Sequence, residues 1–419
     1  MREAVAQALL ARPSPNPPVG AVVVTDGKIV SRGYHRKAGE DHAEAIALAR
    51  AGEAARGGTL YVTLEPCNHH GRTPPCVDTI LRAGIRRVVI GVLDPNPHVV
   101  GGGARRLAEA GLQVDVGVPG ADAKPVLAPW SKFITEGLPY VVLKLALSLD
   151  GRIATRTGAS KWVTGPEARA KVQELRVMHD AVAVGINTAL ADDPRLTVRD
   201  PALVEQYGAP ARLVFDSQMR LPLTSRLVQT AREVPTWVLT TLDAPVEAEQ
   251  MLVDAGCFVV RAPTSAEGRV DVAAALQLLA SQGIVSVLVE GGAELSGSLL
   301  ATRLADELHA FVAPTLLGPR GRPGAVDWAG LGRGVRGPAH RRPSLGALRP
   351  RRLRQRPARL PEPELTTFQN ELPTPGRCSV LRTSAPSAPP KSLSSFAQGG
   401  VSASLRSPSF AASAERSGA

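Results

Sequence analysis

Hydrophobic and polar positions alternate in short blocks along the first part of the chain. Residues 21–24 (AVVV) and 28–34 (KIVSRGY) read as strands flanking Asp26-Gly27, the two-residue signal of a type I′ hairpin. HAEAIALARAG then takes on helical spacing and stops at Gly52. TLYVTL (59–64) predicts a strand, CVDTILRAG a helix ending at Gly84, RVVIGVLD a strand, ARRLAEAG a helix and LQVDVGV a last strand. A hairpin followed by β-α units predicts a small α/β/α sandwich over residues 1–120. Residues 121–138 read as a short linker, helical around Trp130 and Phe133.

A second α/β run opens at Tyr140. Strands are expected at YVVLKLAL, DAVAVG, ARLVFD, TWVLTT, CFVVRA, VSVLVE and ELHAFVAP, with helices at PEARAKVQELRVMH and VDVAAALQLLASQG. The coherent pattern stops at LLGPR, so the second domain is read as 139–318.

Composition changes the picture only at the end of the chain. The chain has 419 residues, too many for one compact domain, and a formal net charge of +11. Residues 319–419 hold 17 Lys and Arg, 16 of them Arg, against 5 Asp and Glu, so the first 318 residues carry a net charge of −1. The basic excess therefore says nothing about the body of the protein. The tail also holds 14 of the 36 prolines and shows no sustained period of 2 or 3.6. Such a composition buries too little apolar surface to offset chain ordering, so 319–419 is read as a disordered basic tail or an out-of-frame translation. An Arg/Gly arm could grip nucleic acid, but the aromatic residues that usually interleave such arms are nearly absent here. The four cysteines are no disulfide framework. With no secretory signal and no uncharged apolar run of about 18 residues, the chain is expected to be cytoplasmic.

The chemistry concentrates at His42-Ala43-Glu44, at the head of the first long helix, and at Cys67 and Cys76. Two thiolates and an imidazole make three protein ligands for Zn²⁺ and leave the fourth tetrahedral position to water. Cys76 opens a helix, whose dipole favours the thiolate. Glu44, two residues beyond the His, can reach a zinc-bound water without ligating and can shuttle its proton. This plan resembles that of the zinc nucleobase deaminases, except that eight residues separate the cysteines. His69 and His70, inside that interval, are read as loop or pocket residues. Gly101-Gly102-Gly103 lacks the G-x-G-x-x-G spacing and reads as a loop.

The segments PNPPVGAVVV, H-A-E, LEPCNHHGRTPPC and DPNPHVVGGG resemble the deaminase half of the bifunctional riboflavin-biosynthesis deaminase–reductase family. LKLALSLDGRIATRTGASKWVTGPEARAKVQELR, NTALADDPRLTVR and VEGGAELSGSLL are similar to its reductase half. The resemblance covers residues 1–318. It implies a cytidine-deaminase-like sandwich followed by a dihydrofolate-reductase-like α/β domain that uses NADPH. Independently, a strand ending in Glu290-Gly291-Gly292 and leading into a helix offers bare backbone N–H groups for a diphosphate.

By the same resemblance, Ala146, Trp162, Thr188, Asp192, Ser217, Gly292, Ala293, Glu294, Leu295, Ser296, Gly297 and Ser298 line the NADPH site. Ser160, Arg176, Leu196, Arg199 and Glu290 contact the ribose-phosphate substrate, where two arginines suit a phosphate. The expected activity is zinc-dependent deamination of 2,5-diamino-6-(5-phosphoribosylamino)pyrimidin-4-one, then NADPH-dependent reduction of the ribosyl group to ribityl. The expected partner is that small phosphorylated substrate; a homo-oligomer is compatible with it, and no membrane or nucleic acid is called for. The family continues its reductase sheet after the LLG segment, whereas here Arg/Pro-rich sequence follows, so the last strands are expected to be missing. Two other readings stay open: a nucleoside or tRNA deaminase fused to an unrelated reductase with an RNA-binding tail, and a degenerate protein with deaminase activity alone.

Overall fold

The computed structural model describes residues 1–69, 74–97, 102–118, 122–155, 165–318, 324, 326–327 and 379–384. The opening helix α1 (Arg2–Ala8) packs on a hairpin of β1 (Gly20–Thr25) and β2 (Lys28–Tyr34). Asp26 and Gly27 both have positive φ, the backbone that a type I′ turn demands, and they pair Thr25 with Lys28. The chain then runs through α2 (Ala43–Ala51), β3 (Thr59–Leu64), α3 (Cys76–Arg82), β4 (Arg87–Val92), α4 (Gly103–Glu109) and β5 (Gln113–Val116). The sheet order is β2-β1-β3-β4-β5, with β1 antiparallel to both neighbours and β3, β4 and β5 parallel. Leu60, Val62, Val77, Ile80, Val88, Ile90 and Leu107 are fully buried between sheet and helices.

The expected linker is a regular helix, α5 (Lys124–Glu136). Its Leu127 and Trp130 are buried in the core of the first sheet, together with Val285 from the second. Lys132 reaches across to Asp306 at 2.6 Å. This segment is therefore packed structure rather than a tether.

The second sheet begins at β6 (Tyr140–Ser148), followed by α6 (Pro166–Val177), β7 (Ala181–Gly185), α7 (Ile186–Asp192), α8 (Pro201–Tyr207) and β8 (Ala211–Phe215). It continues with α9 (Arg226–Gln229), β9 (Thr236–Thr241), α10 (Val246–Asp254), β10 (Phe258–Ala262), α11 (Val272–Ser281), β11 (Ser286–Val289), α12 (Ala293–Ala301) and β12 (Glu307–Ala313). A last strand, β13 (Ser379–Ser384), closes the order β10-β9-β8-β7-β11-β6-β12-β13. All pairs are parallel except β12 with β13. Residues of β11 and the first four of β7 are buried, as parallel strands covered on both faces must be.

The strand β13 corrects one expectation. The sheet was expected to end at β12 with an unpaired edge, yet Ser379–Ser384 pairs with six consecutive residues of β12. The run S-V-L-R-T-S is short and carries β-branched Val380 and Thr383 in Arg/Pro/Ser-rich surroundings, which hid it from a compositional reading. A second return precedes it. Gly324 forms an isolated bridge with Arg152, and the Asp327 N–H donates to the Ala293 carbonyl at 3.0 Å. The rest of 319–419, apart from Val326, lies outside the described residues. Among the described residues, no helix is long and apolar enough to cross a membrane.

A candidate zinc centre and a nucleotide cavity

His42 caps α2 in an extended conformation, so its ring swings off the helix end towards Cys76, the first residue of α3. Glycine makes this placement possible. A Cβ on Gly33 of β2 would stand 2.3 Å from the Ala43 carbonyl oxygen, so only glycine lets α2 lie this close to the sheet. His42 Nδ1 lies 3.3 Å from Cys76 Sγ and 3.5 Å from Cys67 Sγ, and the Cys76 N–H donates to Cys67 Sγ at 3.3 Å. All three donor atoms fall within 4.8 Å of one another. A tetrahedral ion at ordinary Zn–N and Zn–S bond lengths sets its N···S edges at roughly 3.5 Å, so the donor triangle fits zinc.

The hydrogen bond from Cys76, with His42 beside it, brings the Cys67 thiol down to about 4, and the same bond pushes Cys76 well up. Glu44 is buried, with 3% exposure, and burial pushes its carboxyl up. A carboxyl so placed beside the ligands can hold a proton and give it back. Replacing Cys67 or Cys76 by Ala leaves two ligands. Each variant is expected to lose its stoichiometric zinc, and metal analysis of the purified protein checks this. Full zinc retention would remove that cysteine from the ligand set.

The surroundings of the triangle include residues that sequence reading missed. His35, 3% exposed, meets the His42 ring edge-on at 5.4 Å. The Asn16 amide donates to its Nε2 at 3.0 Å, and its Nδ1–H donates to the Asp41 carbonyl at 3.1 Å. Burial lowers the His35 pKa, in keeping with this neutral ring. Glu65 accepts the backbone N–H groups of Asp94, Gly102 and Ala104, which pins both ends of the 94–104 segment beside Cys67. Arg106 joins Asn68 at 2.7 Å to Asp78 at 2.6 Å and so ties the inter-cysteine loop to α3. Asn16 and Glu65 stand inside the motifs PNPP and LEPC, but nothing in their spacing tells which backbone groups they hold. His69 is exposed and His70 lies outside the described residues.

The second site is a cavity of about 980 Å³ at the C-terminal ends of β7, β8 and β11. It lies where β11 inserts between β7 and β6, the kind of strand-order reversal at which open parallel sheets bind ligands. Of the residues read as NADPH contacts, Thr188, Asp192, Ser217, Gly292, Ala293, Glu294, Leu295 and Ser298 line this cavity. Ser296 and Gly297 are buried behind that wall, and a Cβ on Gly297 would meet the Asp327 carbonyl oxygen at 1.9 Å. Ala146 sits in β6 opposite Phe311, away from the lining. Trp162 and Ser160 lie outside the described residues. The lining also contains Asn187, Arg220, Arg269 and Asp327, which sequence reading did not single out. Arg220 donates to Asn187, Asn187 donates to Glu294, and Arg269 pairs with Glu294 at 3.4 Å.

The expected substrate residues divide. Arg176 is committed within the protein: it grips Glu290 through two bonds of 2.5 and 2.9 Å and donates to the Thr197 carbonyl at 2.7 Å. Burial alone would push the Glu290 carboxyl up, but Arg176, with Lys144 and Arg199 nearby, holds it below the usual carboxylate range. Arg199 is exposed, while Leu196 is buried in the core beside Val184 and Val214. Of the two arginines expected at a phosphate, only Arg199 presents an exposed side chain.

A hydrolytic metal triangle on one sheet and a nucleotide-sized cavity on another define a two-site enzyme, a zinc deaminase joined to a nucleotide-dependent reductase. Residues 1–92 match the family model of the cytidine and deoxycytidylate deaminase zinc-binding region, and residues 139–337 match that of the RibD C-terminal domain. The chain is 45% identical over 321 residues to riboflavin biosynthesis protein RibD of Escherichia coli strain K12, covering 74% of this chain and 84% of that protein. With the RibD of Bacillus amyloliquefaciens it shares 43% identity over 317 residues, 76% of this chain and 84% of that one. A solved structure of Acinetobacter baumannii RibD superposes with a TM-score of 0.71 at 35% identity, covering 91% of this chain and 96% of that chain. A Thermotoga maritima structure, described as a diaminohydroxyphosphoribosylaminopyrimidine deaminase/5-amino-6-(5-phosphoribosylamino)uracil reductase, gives 0.70 at 33% identity over 92% and 97%. The chain belongs to the RibD family of riboflavin biosynthesis proteins, bifunctional enzymes with a zinc-dependent deaminase half and an NADPH-dependent reductase half.

Proposed function

We propose that the substrate is 2,5-diamino-6-(5-phosphoribosylamino)pyrimidin-4-one and that the two halves act on it in turn. The observation that carries this is the buried Glu44 carboxyl beside the His42–Cys67–Cys76 triangle, in one chain with a glycine-ended strand opening on a nucleotide-sized cavity. His42, Cys67 and Cys76 would hold a zinc ion, which when bound would make a water nucleophilic near neutral pH. The Glu44 carboxyl is placed to accept a proton from the attacking water and return it to the departing amine, so that water would be consumed and ammonia would leave. His35 holds the His42 ring from the side, and Asn16, fixed by His35, borders the same site.

In the second half, the backbone at Gly292 and the first turn of α12 would receive the cofactor diphosphate, with Thr188, Asp192 and Ser217, which line the same cavity, facing the nucleotide. When bound, NADPH would supply a hydride and leave as NADP⁺, and a proton from water would complete the reduction of the ribosyl side chain to ribityl. Arg199 and Lys144 attract the substrate phosphate, while the Arg176–Glu290 pair forms a rigid wall. The deaminase half is residues 1–120, buttressed by α5. The reductase half starts at 139 and extends through Asp327, with β13 as its edge. The enzyme works in the cytoplasm.

Purified protein given the diaminopyrimidine phosphate tests this, with ammonia release and NADPH oxidation followed separately. Ammonia should appear without NADPH, and NADPH consumption should require prior ammonia release. Oxidation of NADPH by the undeaminated substrate would reverse the proposed order, and absence of ammonia would sink the substrate assignment.

A further inference from the structure

The segment after α1 leaves the deaminase half and enters the reductase half. Tyr207 donates its hydroxyl to the Leu9 carbonyl at 3.0 Å, and Gln206 donates to the Leu10 carbonyl at 3.0 Å. Arg12 goes furthest. Its side chain is 14% exposed; its guanidinium donates to the carbonyls of His179, Tyr207 and Gly208 and stands 3.6 Å from an Asp180 carboxylate oxygen. A cation this enclosed is held only where its donors and its charge are matched.

Asp180 is a junction. Its other carboxylate oxygen accepts the N–H of Val285 at 3.0 Å, the N–H of Ser286 at 2.9 Å and the Ser286 hydroxyl at 3.1 Å. It therefore fixes the start of β11, whose far end leads into Glu290. Asp180 also follows His179, whose ring nitrogen donates to the Leu175 carbonyl at 2.6 Å and closes the last turn of α6, where Arg176 sits. Asp180 stands four residues after Arg176, and Ser286 four residues before Glu290, so one carboxylate sets the spacing between the two partners of the wall.

We infer that Arg12, a residue of the deaminase half, is a positioning residue for the reductase: by neutralising Asp180 and gripping the His179 carbonyl it fixes the Arg176–Glu290 wall of the ribosyl-phosphate site. The deaminase half thus forms part of the scaffold of the reductase site. The cofactor cavity, built on α7, α12 and the ends of β7, β8 and β11, has no contact with Arg12 among its lining residues. The inference rests on the proposed substrate site only for its kinetic readout.

Full-length Arg12→Ala and Arg12→Lys proteins are compared with wild type by amide hydrogen exchange, NADPH fluorescence titration, reductase steady-state kinetics and ammonia release. Arg12→Ala should speed exchange in 173–179 and 285–290 and raise the reductase KM for the deaminated ribosyl phosphate about tenfold, equivalent to about 1.4 kcal/mol of lost binding. NADPH affinity and ammonia release should stay near wild type, and Arg12→Lys should recover part of the KM. Unchanged exchange and KM would overturn the inference, and so would exchange raised equally throughout both sheets. If wild type itself fails to turn over the ribosyl phosphate, the substrate assignment falls. Faster exchange confined to the two segments would then still support the positioning role of Arg12.

Discussion

Glu44→Gln protein should bind zinc like wild type and release ammonia about 10²–10⁴-fold more slowly, the range that positioned general acid–base catalysis supplies. Gln is nearly isosteric with Glu, and Glu44 is not one of the three donors within 4.8 Å, so the ligand triangle stays intact. What disappears is the buried carboxyl beside the triangle that can accept and return a proton. Its burial, with 3% exposure, also keeps bulk water from serving as a ready substitute. Zinc content and single-turnover ammonia release, measured on the same preparation, separate the two effects. A mutant with full zinc and near wild-type turnover would show that the proton moves through another group. NADPH affinity, read from the second sheet, should be unaffected.

Much of this centre was legible because its residues obey local rules. His42 and Glu44 straddle a helix start, and Cys76 begins a helix, so secondary structure alone places three of the four groups. The nucleotide wall was legible for the same reason: Gly292 precedes α12, and the glycine-to-helix step is written in consecutive residues. What escaped are contacts between distant positions. The Asn16–His35 bond spans 19 residues and the Arg176–Glu290 pair spans 114, and no periodicity reports on either. Arg176 shows the cost of this. On a helix it reads as a free cation for a phosphate, and only the fold reveals that a buried carboxylate already holds it. The linker helix α5 was half visible, since Trp130 and Phe133 lie on one face, but its burial depends on Val285 from the other sheet.

A chain cut after Gly318 should keep ammonia release and lose NADPH oxidation. The zinc site draws its ligands from α2, α3 and the loop after β3, all packed on the first sheet, and no described residue beyond 318 touches them. The reductase half stands differently. Removing β13 strips the antiparallel partner from six residues of β12, each ladder hydrogen bond contributing about 0.5–1.5 kcal/mol net. That loss is a large share of the roughly 5–15 kcal/mol that holds a domain folded, and it bares a long edge. The cut also removes Asp327, whose N–H caps the Ala293 carbonyl and whose own carbonyl fills the space above Gly297 in α12. Since α12 opens the nucleotide cavity, NADPH affinity should fall at least about tenfold, a change of about 1.4 kcal/mol. A second cut after Asp327 keeps that contact while losing β13, and its NADPH affinity should lie between those of the shorter chain and the 419-residue protein. NADPH fluorescence and ammonia release on all three proteins decide the matter. Wild-type NADPH oxidation by the chain ending at Gly318 would show that neither β13 nor Asp327 supports the reductase.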